Sequence, residues 1–148
     1  MEFAKLYQKL ETTDRCAFHQ VDADFLLETL QLRKDDLPDC LRIYSTISQW
    51  FGTSLRSGVW TYYEMEDMRE LQLTAQYLSG DSWKELYRMF CLGIHAYQSP
   101  QFIGNFNYPR EWIDASSSID EWIMKNEQKL YEWQREFLLE HRDEICSL

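Results

Sequence analysis

A chain of 148 residues with 45% apolar and 27% charged side chains is long enough to bury its own core and too apolar for wholesale disorder. Its net charge of −10 excludes ordinary binding to nucleic-acid phosphates or to an anionic membrane face, both of which need positive charge. No stretch approaches the ~18 apolar residues of a membrane span.

Helical periodicity predicts an all-α, single-domain bundle of about six or more helices over residues 1–148. The first covers residues 2 to about 10, with Phe3, Leu6, Tyr7 and Leu10 on one face. Asp22 or Asp24 is the expected cap of a second, running through Phe25, Leu26 and Leu30. Asp36 reads as the N-cap of a third, with Pro38 in its first turn and Leu41, Tyr44, Ser48 and Phe51 on one stripe. Val59-Trp60-Thr61-Tyr62-Tyr63 is rich in strand formers. Helix is favoured there because Val59, Tyr62 and Tyr63 share a helical face and Gly58 can end the preceding helix.

Met68, Leu71, Ala75 and Leu78 then step by three and four, with Gly80 as a stop. Ser82 with Glu85 forms an expected capping box for a helix carrying Trp83, Leu86, Tyr87, Phe90 and Ile94. Residues 100–115 are expected to be irregular. Ser118 with Glu121 is a second expected box, opening the longest helix with Ile119, Trp122, Ile123, Leu130, Trp133 and Phe137 inward.

The four cysteines, at 16, 40, 91 and 146, follow an opening (Met1-Glu2-Phe3-Ala4-Lys5) without the basic-then-apolar pattern of a leader. They read as free thiols of a reducing compartment, and a cytoplasmic location is the expectation. With only five glycines there is no phosphate-cradling loop, and neither a Gly-x-Ser-x-Gly elbow nor a His-Glu-x-x-His helix occurs. The best metal candidate pairs Cys16-x-x-His19 with Cys91-x-x-x-His95, the latter one turn apart on a predicted helix. Neither has a two-cysteine knuckle, and a Cys between Phe90 and Leu92 is more simply a small buried hydrophobe. No metal, cofactor or catalytic residue is expected.

The charge pattern is more specific. Residues 101–148 hold ten carboxylates against five Lys or Arg. Glu132, Glu136, Glu140 and Glu144 repeat at i,i+4, a spacing that costs a helix roughly 0.2–0.5 kcal/mol per like-charged pair. Adjacent members rise ~6 Å along the axis, close to the spacing of phosphates along a nucleic-acid strand. Glu64, Glu66, Asp67 and Glu70 make a second patch. The competing reading of the row is a solvated face partly neutralised by Lys129, Arg135 and Arg142.

The stretch Arg56-Ser57-Gly58-Val59-Trp60-Thr61-Tyr62-Tyr63-Glu64 resembles the signature of a bacterial helical family known for a DNA-mimic protein. Gly58, Val59, Tyr62 and Tyr63 occupy its glycine, apolar and two aromatic positions, and the resemblance spans roughly residues 40–98. Ser57 stands where the family has a second glycine, and Trp60-Thr61 replaces a polar pair. What the resemblance implies is a helical fold and an acidic protein that occupies the DNA-binding face of another protein.

Together these readings predict a non-enzymatic acidic interaction protein that blocks a basic, nucleic-acid-binding type of surface on a partner, such as a DNA-binding protein or a nuclease. It would contact neither nucleic acid nor membrane directly. The eight carboxylates just named are the expected contacts. An immunity or anti-defence inhibitor of a toxin or nuclease is the neighbouring alternative. A small metal- or thiol-dependent enzyme using Cys16, His19, Cys91 or His95 is the alternative of another class.

Overall fold

The computed structural model describes residues 2–148. Among the described residues there are nine α-helices, two short 3-10 turns and no strand. The all-α class predicted from periodicity is the class observed. No helix among these residues is long and apolar enough to cross a membrane. Contacts group the chain into two compact units, one reaching to Ser48 and resuming over Glu127–Leu148, the other Gln49–Asn126.

The first unit contains α1 (Glu2–Thr12), α2 (Phe18–Gln31), the start of α3 (Asp39–Ser57), α8 (Glu127–Glu140) and α9 (Arg142–Cys146). Helix α1 packs on α2 and α9, and α2 also packs on α8. Phe3, Tyr7 and Leu10 lie at i, i+4 and i+7 of α1 and are buried, as the 3.6-residue stripe requires. Phe25 meets Tyr7 edge to face at 5.0 Å. Some polar groups inside are paired and others are not: Tyr7 donates from its hydroxyl to the Leu138 carbonyl at 2.6 Å, and Gln134 donates from Nε2 to Ser48 Oγ at 2.7 Å while its Oε1 is buried without a hydrogen-bond partner among the described residues.

Two caps predicted here fall elsewhere. Helix α2 begins at Phe18, ahead of Asp22 and Asp24, because Asp14 caps a 3-10 turn (Arg15–Ala17) that leads directly into it. Asp36 belongs to a second 3-10 turn (Lys34–Asp36), and α3 starts after Pro38, whose carbonyl accepts the Leu41 and Arg42 N–H groups. Leu41, Tyr44, Ser48 and Phe51 are buried as predicted.

The second unit contains the rest of α3, then α4 (Trp60–Met65), α5 (Met68–Ser79), α6 (Lys84–Leu92) and α7 (Arg110–Lys125). Helix α6 packs on both α5 and α7. Residues 60–65 are helical despite their strand formers, since Val59, Tyr62 and Tyr63 all turn inward. At the centre, Trp50 donates from Nε1 to Tyr63 Oη at 2.7 Å, and the Tyr63 hydroxyl in turn donates to the Phe90 carbonyl at 2.7 Å. Gly93 is pressed onto the same tyrosine. A Cβ there would lie 2.2 Å from the ring, so only glycine permits this approach.

Neither predicted capping box forms. Helix α6 starts at Lys84, and Asp81, one residue ahead of Ser82, accepts the Trp83 N–H at 2.8 Å. Glu85 instead accepts from Trp122 Nε1. Helix α7 begins at Arg110, just after Pro109, so residues 110–115 are helical and Ser118 lies mid-helix. The predicted longest helix is also divided. Asn126 leaves helical geometry, its side-chain amide donating back to the Trp122 carbonyl, and α8 starts afresh at Glu127. The longest helix is α3, with 19 residues.

Candidate functional site

The predicted acidic row lies on two helices. Glu132, Glu136 and Glu140 are on α8 and Glu144 is on α9, and all four are exposed. Each step of four residues turns the row by ~40°, so the three on α8 stay on one side. Glu136 has two guanidinium neighbours, Arg135 at 3.1 Å and Arg15 at 3.9 Å. Glu144 sits 3.6 Å from His141. Glu132 and Glu140 form no ion pair among the described residues.

The second acidic patch is largely absorbed by its own backbone. Asp67 caps α5 by accepting the Arg69 N–H at 2.8 Å. Glu66 accepts from the Tyr62 hydroxyl and from the Asp67 N–H. Glu70 is buried at 4% exposure, which removes it from any contact surface. Its place beside Leu71, on the apolar stripe of α5, accounts for that burial.

The Cys/His candidates also change meaning. Helix α6 ends at Leu92, so Cys91 and His95 are not one turn apart on a helix. His95 instead stacks on Trp112 at 4.9 Å, nearly parallel, and burial holds its pKa below the usual histidine value. Cys16 and His19 are exposed. Among the described residues, three ligand-type atoms come within 4.8 Å of one another at Cys40, His141 and Glu144, outside the predicted set. Burial, followed by the Glu144 carboxylate, pushes the Cys40 thiol up to about 12. It is therefore a protonated thiol, and a zinc-like ion would have to displace that proton.

A cleft in the second unit was not foreseen from sequence. It has a volume of about 490 Å³ and is walled by Trp60, Tyr97, Phe106 and Tyr108, with the Asp120 carboxylate on one side. Gly58 connects α3 to α4 at φ +94°, a left-handed conformation that favours glycine. A Cβ on it would stand 3.3 Å from the Trp60 indole, so the ring rests against bare backbone. Asp120 reaches over from α7. Its Oδ1 accepts the Val59 N–H at 2.9 Å and the Ser54 hydroxyl at 2.6 Å. Oδ2 has no hydrogen-bond partner among the described residues.

Behind the cleft the rings are packed in a continuous layer. Tyr97 meets Tyr108 at 4.9 Å and Trp112 at 5.0 Å, and Trp60 faces Tyr108 at 6.1 Å. Burial pushes the Tyr108 phenol up to about 12, and its hydrogen bond with the Glu64 carboxylate adds to the shift. Glu64, predicted as a partner contact, is thereby a neighbour of this layer. Asp120 carried no signal in the sequence, because an expected helix start at Ser118 makes it an ordinary first-turn carboxylate, whereas α7 starts at Arg110 and leaves it half-buried mid-helix.

The fold and these surfaces define an all-α acidic protein with one open carboxylate row and one aromatic cleft. No family model matches the chain, and comparisons with curated proteins and with solved structures return no match.

Proposed function

We propose that this chain is a non-enzymatic acidic interaction protein whose α8 face docks on the basic, nucleic-acid-binding surface of a partner protein. The observation that carries this reading is the exposure of Glu132 and Glu140 without ion-pair partners among the described residues, flanking an exposed Glu136. Its pair with Arg15 is exposed on both sides, and such pairs are worth little, roughly 0–1 kcal/mol, so Glu136 can exchange Arg15 for a cation of a partner. The helix keeps repelling charges at a local cost, which a recognition role explains. A basic groove that holds phosphates would accept the row by charge-assisted hydrogen bonds from Arg and Lys.

The test is competitive. The immobilised protein captures its partner from a native lysate, and the bound fraction is then challenged with duplex DNA. The reading expects release of a basic protein by DNA and by moderate salt, and no capture by the Glu132→Gln, Glu136→Gln, Glu140→Gln variant. A captured protein that survives both challenges and binds the variant equally would overturn it.

A further inference from the structure

We propose that the aromatic cleft of the second unit binds an organic cation of the alkylated-ammonium class, a trimethylammonium group being the best match. Its volume of about 490 Å³ lies within the range of pockets that enclose small ligands, roughly 300–1,000 Å³. The lining includes the rings of Trp60, Phe106 and Tyr108 with the buried Tyr97 beside them, one carboxylate at Asp120, three serines, and no lysine or arginine. Ring faces and a carboxylate are both negative in potential, so they select for positive charge.

Three details support a ligand at this surface. The Asp120 side chain is held in place through Oδ1, and Oδ2 is left over, within reach of the cleft. Gly58 removes the side chain that would otherwise press on the Trp60 ring. Phe106 is held at φ +55°, a conformation that costs a bulky residue about 1–3 kcal/mol, yet the residue is 61% exposed. Packing gains nothing from that arrangement, whereas a cation seated against the ring would.

Other ligand classes fit worse. An anion meets Asp120, nearby Glu64 and a net charge of −10. A neutral apolar group would cover Oδ2 and leave it desolvated without a partner. A hard metal ion needs six or more oxygen ligands, and the lining offers a single carboxylate and three serine hydroxyls. A primary ammonium is strongly hydrated and loses more on leaving water for a largely aromatic wall than an alkylated ammonium does. An alkylated ammonium gives up its water easily and presents an apolar, charged shell to the rings. The head group can belong to a free metabolite or to a methylated lysine side chain, and the chemistry at the cleft is the same.

The experiment titrates the full chain with choline, with a trimethyl-lysine peptide, and with the neutral isostere of choline in which tert-butyl replaces trimethylammonium. Binding is followed by NMR at the Trp60 indole N–H. At least one of the two cations should bind saturably, and the neutral isostere should bind about tenfold more weakly or worse. Asp120→Asn keeps an acceptor for Val59 and Ser54 and should lose about tenfold in affinity. Phe106→Ala, at an exposed rim position, should weaken binding severalfold while the chain stays folded. The stronger of the two cations identifies the source. No saturable binding by either cation, equal binding of the neutral isostere, or full affinity in a folded Phe106→Ala variant would overturn the proposal.

Discussion

Two aspartates, one in each unit, meet their surroundings differently. Asp22, inside the first unit, is 8% exposed and accepts the Tyr44 hydroxyl at 2.6 Å. Burial pushes its pKa up to about 6, against the hydrogen bond that pulls it down. Asp120, in the second unit, uses one oxygen to hold α4 and α3 and turns toward a cleft with the other unclaimed. A carboxylate enclosed by the fold is a structural group that stores pH sensitivity. One with an anchored oxygen and a spare oxygen is positioned for recognition.

The largest expected effect probes how tightly the second unit is packed behind its cleft. Gly93→Ala forces a methyl group to 2.2 Å from the Tyr63 ring, whose hydroxyl is held from both sides. A loss of about 3 kcal/mol in urea denaturation is expected. A loss below about 0.5 kcal/mol would mean the tyrosine can move.

Next comes the pH response of Asp22. Its folded pKa of about 6 lies above the ordinary 3.8, so the folded state holds the proton more tightly than the unfolded chain. Stability from this group is therefore fully present below about 3.8 and is lost as pH rises to about 6. Asp22→Asn should flatten that fall, making the variant more stable relative to wild type by roughly 2 kcal/mol at neutral pH than in acid. Parallel stability curves for the two proteins across that window would contradict the assignment.

How much of this was legible in the sequence depended on distance along the chain. The helix at Trp60–Met65 was readable because Val59, Tyr62 and Tyr63 lie within one turn and outvote their strand propensity. The capping boxes failed for the opposite reason. Ser82 and Ser118 fit the local pattern, but Asp81 and Pro109 supply earlier starts. The acidic row was legible as periodicity and as exposure, yet Glu70 shows that charge alone does not reveal burial. The cleft was beyond reach, since its walls come from residues near 58, 97, 106 and 120 that only tertiary packing assembles. The boundary between the units left no compositional mark, because the passage from Ser48 to Gln49 lies within α3.

A pair of glycines separates conformational need from helix propensity. Gly58→Ala places a side chain at φ +94° and 3.3 Å from the Trp60 indole, and should cost about 1–2 kcal/mol. Gly52→Ala, in the exposed middle of α3 with nothing nearby, should instead stabilise by about 0.5–1 kcal/mol. Thermal melts of both variants test this, and shifts of the same sign would contradict it.

The smallest stability effect belongs to the acidic face. Replacing Glu132, Glu136 and Glu140 by Gln relieves like-charge repulsion and should leave the melting temperature unchanged or raise it by the equivalent of a few tenths of a kcal/mol. A substantial loss would show that the row supports the fold, contrary to its exposure on α8.

The most direct measurement is the association rate of the chain with its captured partner at low and moderate salt. It compares wild type, the α8 triple variant, and a charge-matched variant with Asp35, Glu111 and Glu121 converted to amides, all exposed and none of them a member of the row. The account predicts that the α8 variant associates about tenfold more slowly at low salt and loses most of its salt dependence, with the charge-matched variant near wild type. Equal slowing of the two variants, or none in the α8 triple, would contradict the claim that this face is the recognition surface.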